Sequence, residues 1–427
     1  MQVRVDKINT LKGEIEVPAD KSLSHRSVML GSLCKGKINI KNFSKGEDCQ
    51  NTLKIFRQLG ADIKFENDKD FTLECKELLP SKNVLYAGNS GTTIRLLSGI
   101  LAGQSFESRL EGDISLSKRP MKRIIEPLQA MGANIFSLNN DFKAPLIIKP
   151  AKLTGIDYIS PIASAQVKSC LLFAGLFAEG KTTITEPYKS RDHSERMLKY
   201  FGANINVSGN KVEIEKSELE PKDIIISGDI SSAAFFLVAA AIVPNAVVTV
   251  KNVCVNQTRT GIIDVLRNMG ANIEILNQRI VCAEEVADIK VSYSENLCGI
   301  TIEGEMIPRL IDELPVIAIL ASQAQGTTIV KDAQDLKNKE SDRIKSVCRE
   351  FSKLGVNIEE KDDGFVIEGQ TKLKGDTIIE TYHDHRLAMS AYVAGLICEK
   401  PILINDFEWV NTSFPEFLEL MHNIKEE

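Results

Sequence analysis

One five-residue phrase recurs along the chain and constrains its fold more than any other feature. The copies LGADI, MGANI, FGANI, MGANI and LGVNI begin at residues 59, 131, 201, 269 and 354. Each follows an amphipathic stretch whose apolar residues recur at intervals of three and four, which predicts a helix with one buried face. The glycine of each copy is expected to end that helix in the left-handed conformation, which glycine adopts readily because it has no Cβ. A short strand is predicted after each copy.

A second phrase alternates with the first and occurs six times. It combines a nearly all-apolar helix, a turn with Gly or Pro and a β-branched strand, as in LPVIAILASQAQGTTIVKD. The repeating unit is therefore helix, strand, helix, strand, strand, about 70 residues long. The last amphipathic helix, FPEFLELMHNI, has no strand after it. The N-terminal stretch QVRVDKI is expected to complete that unit.

The apolar helices predict how the repeats are grouped. A helix that is apolar on all sides must be buried on all sides, so three such helices wrapped by sheets should form one domain. Six repeats then predict two similar α/β domains, residues 1–17 with 227–427 and residues 18–226. The chain is expected to cross between them near residues 14–20 and 222–230, where VPADKS and ISGDIS interrupt the pattern. An open repeat solenoid is the alternative, but long apolar repeats favour closed domains.

The composition predicts a soluble globular protein and excludes several classes. The chain has 427 residues, 43% of them apolar, and 52 Lys and Arg against 58 Asp and Glu give a net charge of −6. An acidic chain without a long basic run is not expected to bind nucleic acid. The N-terminus has no apolar core of signal length, and the apolar run 233–243 is too short to cross a membrane. Nine cysteines without a CxxC pair indicate reduced core thiols and a cytoplasmic location.

Unusual residues lie where the predicted helices begin. Helix starts expose N–H groups and a partial positive charge, so they bind phosphate or carboxylate groups. Ser, Asp and Asn at these places can equally be ordinary N-caps. A cation at a helix start is locally unfavourable by roughly 0.3–1 kcal/mol, and a shared bound anion would explain why five lie there: Lys21, Arg119, Arg191, Arg343 and Arg386.

If the two predicted domains face each other through these helix starts, the cleft should hold a ligand with several negative charges. The carboxylates Asp312 and Glu340 suit general acid–base chemistry there if burial or mutual repulsion separates their pKa values. The sequence has no P-loop and no GxGxxG motif. His383 and His385 could share a strand face as metal ligands, but no third ligand has a recognisable spacing, so no metal or cofactor is expected. His193 is expected on a solvated helix start.

Eight motifs in order make the sequence resemble the 5-enolpyruvylshikimate-3-phosphate synthase family, the 3-phosphoshikimate 1-carboxyvinyltransferases. The motifs are DKSLSHR, GNSGTTIR, GDISLSKRPM, SAQVKS, SRDHSERM, DELP, KESDRI and DHRLAMS. They span essentially the whole chain. The resemblance implies the two-domain inside-out α/β barrel of the enolpyruvyl transferases, with six βαβαββ units, three in each domain, and an active site in the interdomain cleft.

The resemblance also implies a reaction. The family transfers the enolpyruvyl group of phosphoenolpyruvate to the 5-hydroxyl of shikimate 3-phosphate in aromatic amino acid biosynthesis, and it needs no metal or cofactor. Asp312 would be the base on that hydroxyl, and Glu340 the acid that protonates the methylene carbon. Lys21 would manage charge on the bridging oxygen. A monomer is expected, with these two small molecules as its partners and neither nucleic acid nor membrane.

Motif by motif, the resemblance assigns substrate contacts. Arg343 and Arg386 would hold the carboxylate of phosphoenolpyruvate as fork-like pairs. Its phosphate would contact Lys21, Gly91, Arg119 and Gln166. Shikimate 3-phosphate would contact Lys21, Ser22, Arg26, Ser164, Ala165, Gln166, Arg191, Asp312 and Lys339.

The chain departs from the family branch typified by enteric and plant enzymes. It has Ser164-Ala165 where that branch has two serines, and Ser413 where that branch has Lys before the C-terminal FP motif. The phosphate subsite is therefore expected to depend more on Arg191. Gly91, which is Ala in some inhibitor-tolerant members, predicts sensitivity to glyphosate. Two alternatives stay open: a UDP-N-acetylglucosamine 1-carboxyvinyltransferase, whose loop cysteine is missing from residues 113–119, and a metabolite-binding scaffold without activity.

Overall fold

A computed structural model describes residues 1–425 of the chain. Within this range the α-helices are α1 (Lys21–Gly31), α2 (Glu47–Gln58), α3 (Gly91–Ala102), α4 (Lys122–Ala130), α5 (Ala165–Gly175), α6 (His193–Tyr200), α7 (Ile230–Ile242), α8 (Gly261–Asn268), α9 (Ile307–Leu310), α10 (Leu314–Gln323), α11 (Arg343–Lys353), α12 (His385–Gly395) and α13 (Phe417–Asn423). The strands are β1 (Val3–Val5), β2 (Lys12–Glu16), β3 (Gly36–Lys41), β4 (Asp62–Phe65), β5 (Phe71–Cys75), β6 (Leu85–Tyr86), β7 (Ser108–Glu111), β8 (Asn134–Ser137), β9 (Leu146–Lys149), β10 (Asp157–Ile159), β11 (Lys181–Thr185), β12 (Ile205–Ser208), β13 (Lys211–Glu215), β14 (Ile224–Ile225), β15 (Val247–Cys254), β16 (Asn272–Val281), β17 (Glu284–Ser292), β18 (Thr301–Ile302), β19 (Thr327–Val330), β20 (Asn357–Lys361), β21 (Gly364–Glu368), β22 (Ile378–Ile379) and β23 (Ile402–Ile404).

The chain divides into two compact units. The first unit consists of Met1–Pro18, Ser227–Ile280 and the chain from Glu285 onward. The second unit consists of Ala19–Ile226 together with Val281–Glu284, a short piece of the β16–β17 hairpin. The sequence alone gave no reason to group this hairpin turn with the second unit, because nothing in the repeat pattern breaks there.

Each unit contains three sheets built on one plan. In the second unit β6 runs parallel to β7 across α3, and β9 pairs antiparallel with both β7 and β8. The other sheets of this unit follow the same plan in the orders β10-β11-β13-β12 and β14-β3-β5-β4. The sheets of the first unit have the orders β16-β17-β15-β2, β18-β19-β21-β20 and β1-β23-β22. This arrangement confirms the predicted α/β fold of six βαβαββ units, and it excludes the open solenoid.

The N-terminal strand completes the last repeat, as the pattern predicted. β1 pairs antiparallel with β23, with Val3 opposite Ile404 and Val5 opposite Ile402. The next strand, β2, pairs parallel with β15 in the first unit. The N-terminal segment therefore adds one strand to each of two sheets of the first unit. β1 covers an edge of β23, and β2 covers an edge of β15, so neither edge is left unpaired.

The apolar helices form the cores. All thirteen residues of α7 are buried, which explains why its sequence shows no polar face. In the second unit α3 packs directly on α5, and a Cβ at Gly99 would lie 2.0 Å from the carbonyl oxygen of Cys170. Only glycine at residue 99 lets the two helix backbones approach this closely.

The repeated glycines end the amphipathic helices as predicted. Their φ angles are +98°, +90°, +84°, +84° and +96° at Gly60, Gly132, Gly202, Gly270 and Gly355. L-residues with a Cβ rarely adopt this conformation, so the glycine fixes the point at which each helix turns into its strand.

The state of the cysteines and the length of the apolar helices were both subjects of prediction. All nine cysteines lie within residues 1–425, and no disulfide joins any of them in this range; seven are buried, Cys282 is half-buried and Cys298 is exposed. Burial raises the pKa of Cys49 to about 12, so that it stays a thiol at neutral pH. Over residues 1–425, no helix combines the length and the apolar character needed to cross a membrane.

Candidate active site

The start of α1 carries three of the predicted site residues. The carboxylate of Asp20 caps the helix by accepting the backbone N–H of Leu23 at 2.9 Å. Lys21 follows the cap and forms an ion pair with the buried carboxylate of Asp48. The Lys21 side chain is 20% exposed, so its ammonium group can reach a ligand while it keeps this partner. Ser22 is the next residue and is half-buried.

Arg26 lies one turn further along α1 and is 3% exposed. Its Nε donates to the hydroxyl of Ser194 at 2.7 Å and its Nη2 to the hydroxyl of Ser169 at 2.8 Å. Its Nη1 donates to the backbone carbonyl of Ser22 at 3.0 Å. These bonds fix α1 to α5 and α6, and they hold the backbone of a predicted substrate contact.

The start of α3 brings together three residues of the predicted phosphate contacts: Gly91, Arg119 and Gln166. Arg119 donates through Nη2 to the side-chain oxygen of Asn89 at 2.5 Å. Gln166 accepts at 2.7 Å from Nη1 of Arg95, a residue to which sequence analysis gave no role. A Cβ at Gly91 would lie 2.6 Å from Nη1 of Arg95 and 3.4 Å from Nη1 of Arg119. Arg95 could have been identified from its spacing, because four residues after Gly91 place it on the same face of the helix.

The start of α5 and the segment before α6 hold the remaining predicted residues of the second unit. Ser164 is the N-cap of α5, and its hydroxyl accepts the backbone N–H of Val167 at 3.5 Å. Ala165 is the first residue of that helix. Arg191 is half-buried and lies two residues before α6 begins.

A buried chain of polar side chains links the starts of α1 and α3. The Nδ1 of His25 lies 2.7 Å from the hydroxyl of Thr52, which lies 2.7 Å from the hydroxyl of Thr93. Thr93 donates to the hydroxyl of Ser90, the N-cap of α3, at 2.7 Å. Burial lowers the pKa of His25 well below its usual value, and Lys21 adds to this effect. His25 is therefore a neutral link between two helix starts.

His193 is not on a solvated helix start, and that prediction is wrong. The residue is fully buried, and its Nδ1 lies 2.8 Å from a carboxylate oxygen of Glu284. Glu284 belongs to the hairpin piece that is grouped with the second unit. This contact between distant parts of the chain was not visible in the local sequence.

In the first unit, the site residues gather around the buried guanidinium group of Arg343. Its Nε and Nη2 donate to the carboxylate of Asp384 at 2.8 and 3.2 Å. Its Nη2 also donates to Glu340 at 2.5 Å, and its Nη1 to Asp312 at 3.2 Å. The planar guanidinium group of Arg343 thus holds the two predicted acid–base carboxylates, Asp312 through Nη1 and Glu340 through Nη2.

The electrostatics of this group are those of a tightly paired buried cluster. Burial alone would lower the pKa of Arg343, but Asp384 and Glu340 raise it above its usual value. Burial likewise acts to raise the pKa of Asp384, but Arg343 lowers it below the usual value. Both groups therefore stay ionised. Asp384 is the N-cap of α12, and its contact with Arg343 gives a second reason for an acidic residue there.

Asp312 is also the meeting point of the other predicted residues. Lys339 places its Nζ 3.4 Å from the Asp312 carboxylate. Arg386 donates through Nη1 to the backbone carbonyl of Asp312 at 3.1 Å. The same Nη1 lies 3.8 Å from a carboxylate oxygen of Glu313, which accepts a hydrogen bond from the hydroxyl of Ser231. The first unit thus brings together all five of its predicted site residues.

His383 and His385 do not share a strand face. His383 has a φ angle of +61° in the turn before α12, and its ring stacks on Trp409 with 4.7 Å between centroids. His385 is the first residue of α12 and is buried.

Comparison with known proteins finds similar sequences along nearly the whole chain. The model of the EPSP synthase (3-phosphoshikimate 1-carboxyvinyltransferase) family matches residues 5–421. A 3-phosphoshikimate 1-carboxyvinyltransferase of Endomicrobium trichonymphae is 50% identical over 431 residues, 99% of this chain and 100% of the relative. Another from Thermoanaerobacter sp. is 51% identical over 420 residues, 98% of each chain.

Solved structures show the same similarity. The EPSP synthase of Acinetobacter baumannii superposes with a TM-score of 0.88 at 42% identity, covering 99% of this chain and 98% of that one. The enolpyruvyl transferase NikO of Streptomyces tendae gives a TM-score of 0.79 at 15% identity, covering 99% of this chain and 96% of NikO. The second likeness concerns the fold alone.

Proposed function

Since the chain belongs to the family of EPSP synthases, the 3-phosphoshikimate 1-carboxyvinyltransferases, we propose how its residues perform that reaction. The enzyme transfers the enolpyruvyl group of phosphoenolpyruvate to the 5-hydroxyl of shikimate 3-phosphate and releases phosphate. The product belongs to the shikimate pathway of aromatic amino acid biosynthesis.

The observation that carries the residue assignment is the placement of Asp312 and Glu340 on one guanidinium group. Asp312 accepts from Nη1 of Arg343 and Glu340 from Nη2. Two carboxylates held at fixed positions can take up and deliver protons at separate atoms of one reacting complex. Asp312 removes the proton of the 5-hydroxyl while the oxygen of that hydroxyl attacks C2 of phosphoenolpyruvate, and Glu340 protonates C3. In the elimination step Glu340 takes a proton back from C3, the bond between C2 and the phosphate oxygen breaks, and Asp312 gives its proton to the leaving phosphate while the new bond to the 5-oxygen stays intact.

Arg343 and Arg386 are proposed to hold the carboxylate of phosphoenolpyruvate. An arginine has five N–H donors, and Arg343 makes four hydrogen bonds to Asp312, Glu340 and Asp384. A bound carboxylate can therefore use the remaining N–H of Nη1 while Asp312 and Glu340 keep their bonds to Arg343.

The second unit is proposed to bind the phosphate groups. Lys21, Arg119 and Gln166, with the backbone at Gly91, serve the phosphate of phosphoenolpyruvate. The contacts for shikimate 3-phosphate there are Lys21, Ser22, Arg26, Ser164, Ala165, Gln166 and Arg191, and Asp312 and Lys339 of the first unit complete the set. Helix starts and cations together favour phosphate binding.

We propose further that the enzyme acts as a monomer in the cytoplasm. Buried thiols without disulfides fit a reducing compartment. Size-exclusion chromatography with light scattering tests the first statement, since a monomer should give a mass near 47.2 kDa.

Phosphate release from phosphoenolpyruvate is the direct test of the reaction. It should require shikimate 3-phosphate, and a metal chelator should leave the rate unchanged. UDP-N-acetylglucosamine, the acceptor of the sister family, should not replace shikimate 3-phosphate. Turnover with the UDP-sugar, or loss of activity with the chelator, would contradict the proposal.

A further inference from the structure

One buried carboxylate in the second unit joins two segments that hold proposed contacts for shikimate 3-phosphate. Glu186 is 4% exposed. Its Oε1 accepts the backbone N–H of Ser164, the cap of α5, at 3.0 Å. Its Oε2 accepts the backbone N–H of Ser190 at 3.2 Å and the hydroxyl of Ser190 at 2.9 Å. Ser190 immediately precedes Arg191, so a single side chain fixes the backbone on both sides of the subsite.

A buried lysine compensates the charge of this carboxylate. The Nζ of Lys168 lies 2.7 Å from Oε2 of Glu186 and 2.8 Å from Oε1 of Glu195. Lys168 is 1% exposed and also donates to the backbone carbonyl of Ser190 at 3.3 Å. Buried ion pairs contribute little net stability compared with apolar residues of the same size. The geometry of the two segments is therefore a better explanation for this cluster than stability alone.

The two carboxylates on Lys168 have different roles in this geometry. Glu186 bonds to the backbone of both substrate-binding segments, whereas Glu195 pairs with Lys168 and, within residues 1–425, makes no hydrogen bond to Ser164 or Ser190. Burial raises the pKa of Glu195 despite the opposing effect of Lys168. Glu195 thus shares the ion pair and the burial of Glu186 without its contacts to Ser164 and Ser190.

We propose that Glu186 is a positioning residue that sets the distance between Ser164 and Arg191 for shikimate 3-phosphate, with Lys168 holding its carboxylate in place. Glu186 acts on the substrate only through these two segments. The inference rests on the proposed function, because it takes Ser164 and Arg191 as contacts of that substrate.

Glu186→Gln tests the inference, with Glu195→Gln as the matched control. In Glu186→Gln an amide N–H₂ replaces one oxygen and faces the N–H of Ser190 or of Ser164, so one segment loses its anchor. KM for shikimate 3-phosphate should rise about tenfold or more, while kcat and KM for phosphoenolpyruvate stay within about threefold. Glu195→Gln removes the other half of the same ion pair and should leave both KM values within about twofold. Thermal unfolding of both variants measures the loss of stability separately.

Ser190→Ala keeps the experiment informative if Glu186→Gln does not fold. It removes one hydroxyl bond and leaves the ion pair intact, so KM for shikimate 3-phosphate alone should rise about threefold. Equal rises of both KM values in Glu186→Gln, or the same rise in Glu195→Gln, would overturn the positioning role. Wild-type protein that turns over phosphoenolpyruvate without shikimate 3-phosphate would instead contradict the proposed function, so the two failures are distinguishable.

Discussion

Three arginines of the second unit differ from the site arginines of the first unit in the oxygens to which they donate, although Lys21 of the second unit does pair with the carboxylate of Asp48. In the second unit Arg26, Arg95 and Arg119 donate to hydroxyl and amide oxygens, which carry no formal charge. In the first unit Arg343 donates to three carboxylates and Arg386 lies near a fourth. Neutral acceptors orient a guanidinium group without cancelling its charge, whereas carboxylates cancel it. The hydrogen bonds described for these three arginines therefore orient them for phosphate binding, and the carboxylates around Arg343 are suited to proton transfer.

The largest effect should come from removing the proton-transfer groups of the first unit. Asp312→Asn and Glu340→Gln keep the side-chain shape but cannot ionise, so kcat should fall by about 10²–10⁴ while substrate affinities stay within about tenfold. Steady-state kinetics and calorimetry measure the two quantities. Asp342→Asn, at the cap of the same helix α11, is the control, because Asn caps a helix as well as Asp does. A fall of less than tenfold in both test variants would remove the acid–base assignment.

The next effect concerns the two site arginines of the first unit, Arg343 and Arg386. Lys keeps the charge but loses the planar fork, so Arg343→Lys and Arg386→Lys should each raise KM for phosphoenolpyruvate by more than about tenfold. Binding of shikimate 3-phosphate alone, followed by calorimetry, should hardly change.

Stability should distinguish the same two variants. A lysine at residue 343 cannot reach Asp384, Glu340 and Asp312 together, so Arg343→Lys should lose about 1–3 kcal/mol of unfolding free energy. Arg386→Lys should lose less, because its described partners are one carbonyl and one carboxylate at 3.8 Å. Equal destabilisation would mean that the carboxylates around Arg343 do not depend on its geometry.

The repeat pattern predicted the fold because its signals are local. A buried helix, a glycine with positive φ and an alternating strand each follow from a few neighbouring residues, and six copies made the pattern unambiguous. Helix starts were equally visible, and Asp20, Ser90 and Ser164 do cap their helices. The motifs then identified the family, which the comparisons confirm.

The partners of the site residues could not be predicted in the same way. Glu186 lies 22 residues from Ser164, and Asp384 lies 41 residues from Arg343. No periodicity connects such positions, because each contact depends on how separate repeats pack together. His193 shows the same limit, since its partner Glu284 comes from a hairpin 91 residues away.

The pH dependence of local stability should also differ between the units. The pKa of His25 is lowered in the folded protein. Below about pH 6.5, His25 therefore takes up a proton in the unfolded state but not in the folded state. The free energy of unfolding of the second unit should then fall by up to about 1.4 kcal/mol per pH unit. In the first unit the pKa of Asp384 is lowered, so its contribution persists until the pH falls below about 3.9. Hydrogen exchange, corrected for intrinsic rates, should show α1 and α3 weakening between pH 6.5 and 5 while α11, which contains no histidine, does not. His25→Asn should flatten that dependence, and an unchanged slope in the variant would exclude His25 as its source.

The smallest effect concerns the neutral partners of the second unit. In Gly91→Ala the new methyl group would lie 2.6 Å from Nη1 of Arg95, so Arg95 must shift and release its hydrogen bond to Gln166. The end of an arginine side chain moves cheaply, so KM for phosphoenolpyruvate should rise only about threefold. Glyphosate, which is expected at the same subsite from the family resemblance, is longer than phosphoenolpyruvate. It should inhibit the wild-type enzyme at sub-millimolar concentration. Its affinity should fall by more than about tenfold in Gly91→Ala. If Arg95 transmits the change, Gln166→Ala should abolish most of the difference between wild type and Gly91→Ala. A variant that binds both ligands as wild type does would show that the second unit holds its anions without the order that these neutral hydrogen bonds provide.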